Sequence, residues 1–112
     1  MKPIEQLSPA MSISGDIGPN DIAAIAQAGF RTIINNRPDG EAMDQPTSAA
    51  IEKAAHKLGL TYRHIPLVPG DFPADAVVEF AAVLSACEGP VLAFCKSGMR
   101  SKTMYALATQ GG

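Results

Sequence analysis

The chain has 112 residues, of which 46% are apolar, and a formal net charge of −2. These values predict one globular domain, residues 1–112, with a single core, and they argue against a basic nucleic-acid-binding domain and against an acidic disordered tail. No apolar run approaches the roughly 20 residues that span a bilayer, and the first residues, MKPIEQLSPAM, lack the apolar middle of a secretory signal, so we expect a cytoplasmic protein with reduced thiols.

Strand and helix patterns alternate along the chain. The strand segments are short, apolar and bounded by turn residues, whereas the helical segments carry apolar residues at helical spacing. A glycine follows each of the first two helical segments, where a helix commonly ends. In chain order we predict an edge strand at 11–14, a helix at 19–28, a strand at 30–35, a helix at 48–58, a strand at 60–68, a helix at 74–86, a strand at 91–94 and a helix from 101 to about 109.

This alternation predicts an α/β fold with a parallel-dominated central sheet flanked by helices. Strands separated by helices are joined by right-handed crossovers, which cover both faces of the sheet. Reactive groups in such a sheet collect at the carboxyl ends of the strands. Three loops are expected at that edge, with the sequences NNRPDGE, PGDFP and CKSGMRS.

The loop CKSGMRS carries the most chemistry. Backbone N–H groups of residues 96–101, together with the helix that follows, are expected to form an anion-binding nest that stabilises a thiolate. Arg100 would add forked donors for an oxyanion, and Gly98 would permit a positive φ or a close backbone approach. Ser101 would either cap the helix or hydrogen-bond the thiolate. We therefore predict that Cys95 is a nucleophile facing a bound anion.

Other polar residues near this edge have two interpretations each. Lys96 either raises the positive potential of the nest or is simply solvated, and Arg37 either binds the anion or pairs with Asp39. Asp71 is either a general acid or a turn residue, and the same two interpretations apply to Asp39. The other thiol, Cys87, is predicted to be a small buried apolar residue. No ligand spacing or glycine fingerprint indicates a metal or an organic cofactor.

The sequence resembles known families at this point. CKSGMRS resembles the C-R-S-G-x-R-S loop of single-domain rhodaneses and the H-C-x-x-G-x-x-R-S loop of cysteine-dependent phosphatases. Over nearly the whole chain, SISGDIGPNDIAAIAQAGFRTIINNRPDGE and YRHIPLVPGDFP are similar to the beta-lactamase hydrolase-like protein, phosphatase-like domain family. The resemblance implies a dual-specificity-phosphatase-type architecture, activity as a phosphatase or a sulfurtransferase, and a fused or associated persulfide dioxygenase as a partner.

Two departures from the phosphatase loop favour sulfur transfer. Cys95 and Arg100 enclose four residues, whereas phosphatases of this type have five, and a shorter loop suits a single terminal sulfur better than a phosphoryl group. Phe94 stands where phosphatases commonly have a histidine, which removes one contribution to thiolate stabilisation.

Three hypotheses follow. The main one is a sulfurtransferase that takes sulfane sulfur from thiosulfate or a low-molecular-weight persulfide and holds it as a Cys95 persulfide. The alternative is a phosphatase with a Cys95 phosphoenzyme, Arg100 on the phosphoryl oxygens and Asp71 as the acid. The third is a non-catalytic anion-binding domain. In each case the predicted anion-binding residues are Lys96, Ser97, Gly98, Met99, Ser101 and Arg37.

Overall fold

A computed structural model, which describes residues 3–110, contains a five-stranded sheet with helices on both faces. The helix at Ile22–Gln27 has six residues and follows a short 3₁₀ turn at Pro19–Asp21, whereas each of the other three helices has at least ten residues. The strands are β1 Ile4–Ser8, β2 Met11–Ser14, β3 Thr32–Asn35, β4 Thr61–His64 and β5 Val91–Phe94. The helices are α1 Ile22–Gln27, α2 Ser48–Lys57, α3 Ala74–Ala86 and α4 Met99–Gln110.

The sheet has the order β1-β2-β5-β3-β4. β2, β5, β3 and β4 are parallel, which confirms the predicted parallel-dominated sheet, and β1 pairs with β2 in the antiparallel direction. β1 was not predicted, and the prediction that the strand at 11–14 is an edge strand is wrong, because β2 lies between β1 and β5. β1 and β5 pair with the two edges of β2, and all four residues of β2 are buried. β1 is partly exposed, and apolar and polar residues do not alternate regularly along it, so its sequence does not indicate a strand.

Two apolar clusters sandwich the sheet, and the central strand β5 contributes to both. Leu92 and Phe94 pack with α1 and α2, whereas Val91 and Ala93 pack with Phe80 of α3 and Met104 of α4. Successive residues of a strand point to opposite faces, so a strand buried on both faces reads as a continuous apolar run. No helix within residues 3–110 is long and apolar enough to cross a membrane.

Several boundaries differ from the prediction in ways that matter for the site. α4 begins at Met99 rather than at residue 101, because the N–H of Lys102 donates to the carbonyl of Gly98 and closes the first turn. Arg100 therefore belongs to the first turn of the helix. β4 ends at His64, four residues before the predicted end, and the residues released from it form a loop at the carboxyl edge of the sheet.

Candidate active site

Cys95 lies directly after the central strand β5, where the loops that follow β2, β3 and β4 converge. Its side chain is fully buried, and its Sγ accepts a hydrogen bond from the backbone N–H of Gly98 at 3.1 Å. The thiol therefore faces the amino terminus of α4, a helix of 12 residues whose dipole presents positive potential there. An anion held at this position would meet the same N–H groups.

Gly98 is the residue that allows this loop to turn so tightly. Its φ is +93°, a conformation that residues with a side chain rarely adopt. A Cβ at this position would also lie 3.3 Å from the carbonyl oxygen of Ser14. The backbone of β2 therefore presses against the loop, and glycine meets both constraints that the sequence analysis proposed for this position.

Arg100 points across the site towards the loop after β3. Its Nη1 donates to Glu41 Oε2 at 2.7 Å and to the carbonyl of Leu67 at 2.8 Å, and its Nη2 donates to Glu41 Oε1 at 2.8 Å. Hydrogen bonding to Glu41 is the largest cause that raises the pKa of Arg100, and the neighbouring Cys95 adds to it. A guanidinium has five N–H donors, so these three contacts leave its Nε and second Nη2 donors on the edge nearer the thiol.

Arg37 donates to the same carboxylate as Arg100 does. Its Nε donates to Glu41 Oε1 at 2.9 Å, and its Nη1 lies 4.0 Å from a carboxylate oxygen of Asp16. The proposed pairing of Arg37 with Asp39 is therefore wrong. Asp39 Oδ1 instead accepts the N–H of Ser48 at 2.7 Å, at the first residue of α2. Helix amino termini attract acceptors of this kind because their N–H groups lack partners within the helix.

Ser101, in the first turn of α4, hydrogen-bonds to the residue that follows β3 and does not contact the thiol. Its hydroxyl donates to Asn36 Oδ1 at 2.8 Å, and Asn36 Nδ2 donates to the carbonyl of Ile65 at 2.9 Å. Because a serine hydroxyl has one proton, Ser101 cannot in this arrangement also donate to the thiolate. Both roles proposed for it, the helix cap and the thiolate donor, are replaced by this buried link.

The remaining predicted residues lie on the rim. Lys96 is exposed, and its carbonyl accepts the N–H of Asp16 at 3.1 Å. Ser97 Oγ accepts the N–H of Met99 at 3.3 Å, at the start of α4. Asp71 is exposed on the loop after β4, the loop whose Leu67 carbonyl contacts Arg100.

Sequence reasoning missed three residues that hold the site together, namely Glu41, Asn36 and Asp16. Glu41 follows Arg37 by four positions in the loop NNRPDGE, and a buried arginine requires acceptors. That requirement was the available signal for Glu41. Asn36 and Asp16 had no comparable signal, because their partners, Ser101 and Lys96, are distant in the chain.

Glu41→Gln is expected to destabilise the protein at neutral pH and to reduce its acid sensitivity. Hydrogen bonding from Arg100 is the largest cause that lowers the pKa of Glu41, from 4.5 to about 2. A carboxyl with a lower pKa in the folded chain stabilises the fold fully above pH 4.5 and loses that contribution as the pH falls to about 2. Urea unfolding at a series of pH values should show the gap between wild type and variant closing over this range.

The matched control is Glu79→Gln, on the exposed surface of α3, which should show no such closing gap. If the free energies of unfolding of wild type and Glu41→Gln stayed equally far apart down to about pH 2, the carboxylate of Glu41 would not be making this contribution.

Comparisons with known proteins agree on the kind of domain. A family model described as beta-lactamase hydrolase-like protein, phosphatase-like domain, matches residues 4–112. A beta-lactamase hydrolase-like protein of Xylella fastidiosa is 35% identical over 105 residues, which are 94% of this chain and 24% of that protein. The chain thus spans about a quarter of the length of the curated relatives it matches.

Solved structures share the fold. A candidate phosphatase from Neisseria meningitidis has a TM-score of 0.84 and 35% identity, over 92% of this chain and 73% of that one. A kinase-associated phosphatase whose catalytic cysteine is replaced by serine has a TM-score of 0.78 and 17% identity, over 96% of this chain and 72% of that one. At 17% identity the likeness shows the fold alone, and that fold is the cysteine-phosphatase type.

Proposed function

Because the chain belongs to the beta-lactamase hydrolase-like protein, phosphatase-like domain family, we propose that it is a cysteine-dependent phosphatase that hydrolyses phosphate monoesters. The names carried by its family and by the Neisseria structure support this alternative over the sulfurtransferase hypothesis. Cys95 is the proposed nucleophile, Arg100 the proposed ligand of the phosphoryl oxygens and Asp71 the proposed acid.

The observation that carries the proposal is the pairing of the Cys95 thiol with donors aimed at one place. The N–H of Gly98 reaches Sγ at 3.1 Å, and α4 begins at the next residue. Arg100 is anchored at its far end by Glu41, which leaves its Nε and Nη2 edge for an oxyanion. Donors held in place before the reaction stabilise the charge on the transferring phosphoryl group without a cost for reorganisation.

In the proposed reaction Cys95 Sγ attacks phosphorus while the bond between phosphorus and the ester oxygen breaks. Asp71 donates a proton to that oxygen, so the alcohol leaves neutral. Asp71 then takes a proton from a water molecule whose oxygen attacks the phosphocysteine and breaks the bond between sulfur and phosphorus. Inorganic phosphate leaves, and the thiolate is restored.

Sulfur transfer is the second candidate, because the loop from Cys95 to Arg100 encloses only four residues. In that reaction Sγ attacks the outer sulfur of thiosulfate, the sulfur–sulfur bond breaks, and sulfite leaves with the electron pair. The product is a Cys95 persulfide, and no general acid is needed. The two candidates therefore differ in the group added to Cys95 and in their need for Asp71.

The test measures both chemistries on one reduced sample. Phosphate release from p-nitrophenyl phosphate is followed by absorbance, and intact mass is recorded after brief exposure to thiosulfate. We expect phosphate release without a stable sulfur adduct. A gain of one sulfur atom that cyanide removes, with negligible phosphate release, would overturn the phosphatase proposal in favour of sulfur transfer.

Asp71→Asn separates the candidates a second time. If Asp71 is the acid, kcat for phosphate release should fall about 100-fold, and the loss should be smaller for esters with good leaving groups. Asp75→Asn, in the first turn of α3, is the matched control and should keep wild-type activity. An unchanged kcat in Asp71→Asn, even for alkyl esters with poor leaving groups, would remove Asp71 from the mechanism.

A further inference from the structure

Asn36, the first residue after β3, is fully buried, and all four of its polar groups make hydrogen bonds. Its backbone N–H donates to the carbonyl of Phe94 at 2.8 Å, and its carbonyl accepts the N–H of Leu67 at 3.0 Å. Its Oδ1 accepts the hydroxyl of Ser101 at 2.8 Å, and its Nδ2 donates to the carbonyl of Ile65 at 2.9 Å. Asn36 therefore binds the end of β5, the first turn of α4 and the loop after β4.

Three of these four partners adjoin the two groups on which the proposed reaction depends. Phe94 directly precedes Cys95, and Ser101 directly follows Arg100. Leu67 accepts a hydrogen bond from Nη1 of Arg100 at 2.8 Å through its carbonyl. One asparagine thus holds the residue before the nucleophile, the helical turn that carries the guanidinium and the residue that anchors the guanidinium.

The side chain at position 36 has to donate and accept at the same time. An amide carries a donor and an acceptor on one planar group. A carboxylate would meet the carbonyl of Ile65 with a second acceptor, and an aliphatic side chain would leave that carbonyl and the Ser101 hydroxyl without this partner. The two residues that the amide binds lie 29 and 65 positions away in the chain. The amide therefore joins the first turn of α4 to the loop after β4.

We infer that Asn36 is a positioning residue, which sets the placement of the Arg100 guanidinium relative to Cys95 Sγ in the transition state. The inference rests on the proposed function and adds a residue to its site. All four polar groups of Asn36 have other partners, so it acts on the guanidinium and the thiol through their neighbours. A misplaced donor weakens transition-state binding more than ground-state binding. Loss of the Asn36 side chain should therefore lower kcat and leave the affinity for inorganic phosphate nearly unchanged.

A double-mutant cycle on kcat for p-nitrophenyl phosphate tests the inference. We expect Ser101→Ala, which breaks one side-chain link, to lower kcat about tenfold, and Asn36→Ala, which breaks both, to lower it about 50-fold. Because both variants remove the same hydrogen bond, the kcat of the double variant should lie within about twofold of that of Asn36→Ala. Effects that were independent would multiply instead.

Binding measurements separate positioning from a merely structural role. In Asn36→Ala the dissociation constant for inorganic phosphate should stay within about threefold of wild type, whereas that for orthovanadate, which resembles the transition state, should rise about tenfold or more. Thr32→Val is the matched control, since Thr32 begins the same strand and its buried hydroxyl donates to the carbonyl of Glu88 at 2.6 Å. This variant should lower the thermal midpoint but leave kcat and both affinities unchanged.

Wild-type kcat in the two single variants, or a double variant that loses the product of the two single losses, would overturn the inference alone. An equal loss of kcat in Thr32→Val would also overturn it. If Asn36→Ala does not fold, Ser101→Ala decides the question, and a kcat within about twofold of wild type would contradict the inference. A wild-type protein that releases no phosphate would overturn the proposed function and the inference with it.

Discussion

Replacing Cys95 by serine is expected to abolish turnover of p-nitrophenyl phosphate, with kcat lowered by at least about 10⁴-fold. A serine hydroxyl is a far weaker nucleophile than a thiolate, and neither the N–H of Gly98 nor the guanidinium of Arg100 can remove its proton. The substituted oxygen still accepts the hydrogen bond that Gly98 donates. The variant should therefore keep its affinity for inorganic phosphate within a few-fold of wild type.

Cys87→Ser is the matched control, since Cys87 is the other free thiol and packs at the margin of the core near α3. It should retain wild-type kcat. Measurable turnover in Cys95→Ser at more than about a hundredth of the wild-type rate would rule out Cys95 as the nucleophile. If the wild-type protein also binds phosphate without turning over any ester, the third hypothesis, a non-catalytic anion-binding domain, would replace the phosphatase proposal.

Arg100→Lys is expected to lower kcat/KM by about 10³-fold although it preserves the charge. The guanidinium donates to both oxygens of Glu41 and to the carbonyl of Leu67, and its remaining edge is proposed to hold two phosphoryl oxygens. A lysine ammonium is a single point of charge and cannot anchor at Glu41 while it presents a planar edge to the substrate. Most of the loss should appear in kcat, because the interaction is strongest in the transition state.

Arg37→Lys provides the comparison, because Arg37 donates to Glu41 Oε1, the oxygen that also accepts from Nη2 of Arg100. We expect a decrease of about tenfold in kcat/KM for this variant. Thermal unfolding of both variants identifies any loss due to misfolding. Equal decreases in the two variants would mean that Arg100 acts only through Glu41 and does not bind the phosphoryl group.

The periodicity of the sequence was enough to predict the core of the fold. The run Val91–Phe94 was assigned to a strand correctly, and the helix at Ala74–Ala86 was predicted to the residue. Apolar residues recur at the strand or helix period wherever an element buries a face, so this information is local. β1 was missed for the same reason, because an edge strand that is partly exposed has little apolar pattern.

The conformation of the loop from Cys95 to Arg100 could also be predicted from the sequence. Cysteine, glycine and arginine at these spacings predicted a loop that turns into a helix with its N–H groups facing the thiol, and Gly98 has the positive φ that this requires. The short loop and Phe94 led the sequence analysis to favour sulfur transfer, although both reactions use the same residues in the same loop. The comparisons with the family and with solved structures favour the phosphatase, whereas the loop length had favoured sulfur transfer.

By itself the sequence determined the α/β fold, the cysteine loop at the carboxyl edge of the sheet and the residues that form that loop, because each depends on neighbours within a few positions. Only the tertiary structure decided which carboxylate meets Arg100 and where Ser101 donates. Glu41 lies 59 positions from Arg100 and Asn36 lies 65 positions from Ser101. These contacts arise because parallel strands bring the loops that follow them to one edge, where buried polar groups must find partners.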